Sequence, residues 1–103
     1  MGISTILLVE DEEYIRESLK EILEMNGYKV TTAENGETGI EAASKASFDI
    51  LITDLRLPGT DGIGVIRAVK AASPDTACIV LTGYASVETA VEATRLGAFD
   101  FIE

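Results

Sequence analysis

Short apolar runs alternate with helix-like segments along the whole chain, and this alternation limits the possible folds more than any single residue does. The runs have the length of strands and cover Thr5–Val9, Tyr28–Ala33, Asp49–Thr53, Ala77–Thr82 and Phe99–Ile102. They are apolar almost throughout, which is typical of strands buried on both faces of a parallel sheet. We therefore expect an α/β fold with helices on both faces of that sheet.

The segments between the runs show helical periodicity. The first repeats apolar residues at one-turn spacing, at Ile15, Leu19, Ile22 and Leu23, and ends at Asn26-Gly27. The other helices are predicted over Glu37–Ala46, Gly62–Ala72 and Ser86–Gly97. Right-handed crossovers then give a doubly wound sheet, in which ligands bind at the carboxyl ends of the strands.

Length and charge exclude several classes of protein. The 103 residues fit one domain, 1–103, and include no apolar stretch long enough to cross a membrane. The chain has 18 acidic and 8 basic residues, and its net charge of −10 argues against direct binding of nucleic acid. It is compatible with a divalent cation or a basic partner surface.

The chain has no histidine, which removes His-based triads, the usual zinc sites and phosphohistidine chemistry within it. Its single cysteine, Cys78, lies inside an apolar run, where we expect it to be a small buried hydrophobic residue. No intrachain disulfide is possible, and the start of the chain does not resemble a signal peptide. These features predict a cytoplasmic protein.

Acidic side chains follow two of the predicted strands. Glu10 and Asp11 come directly after the first, and Asp54 comes at the end of the third. If these strands are neighbours, the three carboxylates converge within several Å and raise one another's pKa values. Mg²⁺ would relieve that repulsion and leave coordination positions open for a phosphoryl group. Thr82, after the fourth strand, offers a hydroxyl to a phosphoryl oxygen there.

Each of these residues also has a purely structural interpretation. Glu10–Glu13 could complement the dipole of the first helix, with Asp11 as its N-cap. Asp54 could be a turn residue before Leu-Pro-Gly, and Thr82 an ordinary strand-end hydroxyl. Because separate strand ends each supply a residue type that one phosphoryl site needs, the pattern as a whole favours the phosphoryl site.

The chain resembles the receiver domain of bacterial two-component response regulators over nearly its whole length. The resemblance rests on Glu10-Asp11 after I-L-L-V, Asp54 in L-I-T-D-L-R-L-P-G-T-D-G, Thr82 in I-V-L-T-G-Y-A, and the ending L-G-A-F-D-F-I-E. That ending is most similar to receivers of nitrogen-regulator type. The resemblance implies a flavodoxin-like five-stranded sheet with strand order 2-1-3-4-5.

The resemblance also implies a function and its residues. Asp54 is expected to be the phosphoacceptor, taking its phosphoryl group from a phosphohistidine of a separate sensor histidine kinase. Thr82 matches the switch hydroxyl, and Phe101 matches the switch aromatic. Such a domain is a phosphorylatable regulator of an attached or partner output, most often transcription, and is not itself an enzyme.

The same resemblance implies a metal site. Glu10, Asp11 and Asp54 are expected to bind Mg²⁺, with the backbone carbonyl of Arg56 as a further ligand.

One part of the family pattern is absent from the sequence. The family places a Lys just beyond the switch aromatic, followed by a fifth helix, and this Lys would come directly after Glu103. We therefore expect a receiver that is truncated at its C-terminus, lacks the fifth helix and is phosphorylated less readily. We also expect apolar surface on strands four and five that a homodimer could cover.

Other functions fit less well. The lost Lys favours a phosphorylation-impaired, receiver-like interaction or dimerisation module, whereas the intact acidic residues argue against it. A flavin site needs a neutral phosphate loop where Glu10–Glu13 stand, and an aspartyl phosphatase needs an acid where Arg56 stands. A P-loop motif is missing from the sequence.

Overall fold

The computed structural model describes residues 2, 4–55, 57, 59–81 and 98–102, the last of these as backbone only. Its strands are β1 (Thr5–Val9), β2 (Lys29–Ala33), β3 (Ile50–Asp54), β4 (Ala77–Leu81) and β5 (Ala98–Ile102). Its helices are α1 (Glu13–Met25), α2 (Gly36–Lys45) and α3 (Gly62–Ala72). The helix predicted over Ser86–Gly97 lies outside the described residues.

The strands form one parallel sheet in the order β2-β1-β3-β4-β5, which confirms the predicted doubly wound, flavodoxin-like α/β fold. For the five strands and for α2 and α3, the predicted boundaries agree with the observed ones to within one residue. Helix α2 begins one residue earlier than predicted because Asn35 caps it: the Asn35 Oδ1 atom accepts a hydrogen bond from Thr38 N at 2.8 Å. Strand β3 extends to Asp54, which pairs with Leu81.

Side chains of alternate residues divide the sheet into two faces, and each face has its own core. Leu7, Val9 and Leu51 are fully buried in the core that α2 and α3 cover, where α3 contributes Val65, Ile66 and Val69. Ile6, Leu8 and Val30 form the core under α1, where Leu19 and Leu23 pack against them. Cys78 is completely buried, which confirms its predicted role as a small core residue.

Helix α1 is less buried than its apolar periodicity predicts. Leu19 and Leu23 face the sheet, but Ile15 is 40% exposed and Ile22 is 55% exposed. At 100° per residue these two isoleucines lie to one side of Leu19 and Leu23, so the apolar stripe is wider than the contact with the sheet. Among the described residues, none of the helices is long and apolar enough to cross a lipid bilayer.

Candidate functional site

The register of the central strands places Glu10 and Asp54 at the same level of the sheet. β1 and β3 are hydrogen-bonded neighbours, and Val9 lies opposite Thr53. Glu10 and Asp54 directly follow Val9 and Thr53, so the two acidic residues lie side by side. One carboxylate oxygen from each of Glu10, Asp11 and Asp54 lies within 4.8 Å of the other two, as the sequence predicts.

Glu10 is the most buried of the three acids, with only 3% of its surface exposed. The backbone N–H of Glu12 donates a hydrogen bond to Glu10 Oε2 at 2.9 Å. The pKa of Glu10 is raised to about 7, mainly by burial. The hydrogen bond from Glu12 lowers this pKa, and the adjacent carboxyl groups of Asp11 and Asp54 raise it. In the absence of a cation, negative charge at this position is costly.

Asp54 is half-buried and Asp11 is exposed, so the cluster opens to solvent on one side. The backbone around Asp54 is closely packed: Thr53 Oγ1 donates to the carbonyl oxygen of Asp54 at 2.9 Å, and the backbone N–H of Gly62 donates to that of Leu55 at 3.1 Å. A side chain at position 62 would overlap the carbonyl oxygen of Asp54. The start of α3 is thus pressed against the end of β3.

Arg16 is a residue of the site that sequence reasoning missed. Its NH1 group donates to the backbone oxygen of Glu10 at 2.9 Å and to that of Asp11 at 3.4 Å, so it orders the chain between β1 and α1. The available signal was that Arg16 is the only basic residue in the acidic stretch Glu10–Glu17.

The structural alternative for Asp11 does not match the helix start. The N-cap of α1 is Glu12, and no side-chain hydrogen bond caps that end of the helix. Asp11 is therefore not the capping residue, and its carboxylate belongs to the cluster with Glu10 and Asp54.

The donor set fits a hard divalent cation. Three carboxylates supply only oxygen atoms, and oxygen ligands are those that Mg²⁺ and Ca²⁺ prefer. The partial exposure of the cluster leaves room for water or an incoming anion. A bound cation would offset both the burial of the Glu10 charge and the repulsion from Asp11 and Asp54, which together raise the pKa of Glu10.

The side chains of three predicted site residues are not described by this structure. Arg56 and Thr82 are not among the described residues. Phe101 lies in β5 opposite Val80, as backbone only. The predicted roles of these three residues remain predictions.

Comparison with known proteins gives consistent matches to one family. The family model described as the response regulator receiver domain matches residues 6–103. Regulatory protein AtoC of Escherichia coli strain K12 is 37% identical over 101 residues, which make up 98% of this chain and 22% of AtoC. The chain therefore spans about a fifth of that relative's length.

Solved structures show the same similarity. A CheY-like response regulator receiver domain protein from Methanospirillum hungatei JF-1 has a TM-score of 0.95 and 32% identity, covering 98% of this chain and 81% of the other. A response regulator protein from Burkholderia pseudomallei, with a phosphorylated aspartic acid, calcium ion and citrate, has a TM-score of 0.90 and 34% identity, covering 95% of this chain and 58% of the other.

Proposed function

Because this chain belongs to the response regulator receiver domain family, we propose that it is a phosphorylatable switch whose phosphoacceptor is Asp54. The observation that supports this most directly is the convergence of Glu10, Asp11 and Asp54 within 4.8 Å at the carboxyl ends of β1 and β3. A sensor histidine kinase would supply the phosphoryl group, and the natural location of such a pair is the cytoplasm.

The proposed reaction forms a bond between phosphorus and a carboxylate oxygen of Asp54. The P–N bond of the donor phosphohistidine breaks, its electron pair stays on the imidazole nitrogen, and that nitrogen regains a proton from solvent. Asp54 is half-buried, so a donor can reach it from the exposed side of the cluster. Positioning and electrostatics, rather than acid–base chemistry, would govern the rate.

We assign the divalent cation as Mg²⁺, with Glu10, Asp11 and Asp54 as its carboxylate ligands and the backbone carbonyl of Arg56 as a further ligand. A bound Mg²⁺ would neutralise the charge that the cluster and the phosphoryl oxygens bring together. The presence of calcium and a phosphorylated aspartic acid in the Burkholderia pseudomallei structure supports this assignment.

Phosphorylation would regulate an output by favouring one of two conformations of the domain. Thr82 is proposed to donate to the new phosphoryl oxygens, and Phe101 to change position with it. The similarity to AtoC, named a regulatory protein, supports transcription as the output. The region 1–103 would be the receiver unit of such a regulator.

The test is phosphorylation by acetyl phosphate, read by intact-protein mass spectrometry. We expect one added phosphoryl group in the presence of Mg²⁺, none with excess EDTA, and none in Asp54→Ala. Asp49→Asn is the matched control, because Asp49 is an acid of the same strand region that lies at the opposite end of the sheet.

Labelling that persists in Asp54→Ala would refute the assignment of the phosphoacceptor. A complete lack of labelling in the unaltered chain would favour an unphosphorylated interaction module with the same fold.

A further inference from the structure

The first turn of α2 contacts both segments that bring the acidic cluster together. On one side Gly39 packs against Val9, the residue before Glu10, so closely that a Cβ atom at position 39 would lie 2.8 Å from Val9 Cγ2. On the other side Gly36 lies directly against the backbone of Thr60, in the loop between β3 and α3. Helix α2 therefore spans the two strand ends of the site.

Glu37, the second residue of α2, holds that loop through its carboxylate. The backbone N–H of Thr60 donates to Glu37 Oε1 at 3.0 Å. The Glu37 carboxylate also packs against Gly59, and a side chain at position 59 would collide with that carboxylate. Gly59 has a φ of +73°. Since Gly62 is fixed against Asp54 at the end of the same loop, the loop is held at two points.

We propose that Glu37 is a positioning residue for the metal centre: by accepting the hydrogen bond from Thr60, it fixes the start of α3 against the end of β3 and so holds Asp54 in the position that a divalent cation needs. This inference rests on the proposed function, in which Asp54 is a ligand of the cation. A carboxylate on a segment that is already fixed loses less conformational entropy when it binds a cation. Loss of the Glu37 hydrogen bond should therefore weaken cation binding.

Charge alone would also give Glu37 some effect on cation affinity, so the test must separate charge from position. Glu37→Gln removes the charge and keeps an acceptor oxygen, whereas Glu37→Ala removes both. Glu41→Ala is the matched control, since Glu41 is an exposed acid one turn further along α2 that pairs with Lys45 at 2.9 Å.

Two measurements on the full chain test the proposal. Amide hydrogen exchange of Thr60, followed by NMR without metal, reports the hydrogen bond itself. Calorimetric titration with Mg²⁺ reports cation affinity. In Glu37→Ala we expect exchange of Thr60 to accelerate by roughly fivefold and the Kd for Mg²⁺ to rise by about 3- to 10-fold, as expected for the loss of one hydrogen bond. Glu37→Gln should keep most of both properties, and Glu41→Ala should match the unaltered chain.

The outcomes distinguish this inference from the proposed function. Equal loss of affinity in Glu37→Gln and Glu37→Ala, or an unchanged Kd in Glu37→Ala, would overturn the positioning role and leave the metal centre intact. If the unaltered chain does not bind Mg²⁺, or Asp54→Ala binds it equally well, the metal centre and the positioning role are both refuted.

Discussion

The two ends of the sheet use carboxylates in opposite ways. At the amino end, Asp49 Oδ2 accepts hydrogen bonds from Thr5 N at 2.9 Å and from Thr5 Oγ1 at 3.3 Å, which tie β1 to the start of β3. At the carboxyl end, Glu10, Asp11 and Asp54 crowd their oxygens within 4.8 Å of one another. At one end a carboxylate bonds to the next strand, and at the other end three carboxylates lie close enough together to repel one another.

This difference indicates that the functional site at the carboxyl end lowers the stability of the fold. A hydrogen-bonded carboxylate such as Asp49 stabilises the strand pair that it bridges. Clustered carboxylates lower the stability of the metal-free domain, and the burial that raises the pKa of Glu10 is a measure of that cost. A cation can recover the loss, so the stability of the carboxyl end should depend on metal and pH, whereas the amino end should not respond to metal.

The largest expected effect is the pH dependence that Glu10 gives to the metal-free domain. Its pKa is about 7 in the folded chain against 4.5 as the ordinary value, so the folded state binds the extra proton between these pH values. The free energy of unfolding should therefore fall as pH rises from 4.5 to 7, by about 3 kcal/mol from this group. Urea unfolding in EDTA, followed by circular dichroism at several pH values, measures the change.

Glu10→Gln isolates this contribution, because it keeps the shape of the side chain and removes its titration. The variant should match the unaltered chain near pH 4 and be the more stable of the two above pH 7. If the free energy of unfolding changed with pH equally in both proteins, Glu10 would not be the group that destabilises the carboxyl end.

The sequence predicted the convergence of the acids because it depends on strand order and register. Once β1 and β3 are neighbours and Val9 lies opposite Thr53, the position of Glu10 beside Asp54 follows. The alternation of apolar runs was enough to predict the layers of the fold, and the family resemblance supplied the strand order.

Contacts made by long side chains were harder to predict. Arg16 reaches back to the Glu10 backbone, and Glu37 reaches the backbone of Thr60, 23 residues away. Neither contact follows from local spacing, because each depends on how two packed elements meet. The exposure of Ile22 was missed for a similar reason: periodicity shows an apolar stripe but does not show how much of it the sheet covers.

Glycines at the two ends of the sheet give the second prediction. Gly62, at the carboxyl end, has no space for a side chain beside Asp54, whereas Gly27, before β2, has open space but a φ of +90°. Gly62→Ala should cost about 2 kcal/mol by overpacking, and Gly27→Ala about 1 kcal/mol by backbone strain. Denaturant unfolding of both variants measures these costs.

Asparagine provides the control for this pair, since it tolerates a positive φ better than alanine. Gly27→Asn should recover part of the loss, while Gly62→Asn should be no better than Gly62→Ala. Recovery at position 62 would show that conformation, not space, requires glycine beside Asp54.

Removal of the Asp49 carboxylate tests the amino end directly, with an expected effect smaller than that of Gly62→Ala. Asp49→Ala removes the acceptor for both Thr5 donors and should lower the free energy of unfolding by about 1.5 kcal/mol, with or without Mg²⁺. Asp49→Asn keeps an acceptor oxygen and should lose less. Asp75→Ala, at an exposed acid in the turn before β4, should stay within about 0.5 kcal/mol of the unaltered chain. Asp49 lies far from the cluster along β3, so Mg²⁺ should not change the stability lost in Asp49→Ala. If Mg²⁺ restored that stability, the two ends of the sheet would not be independent.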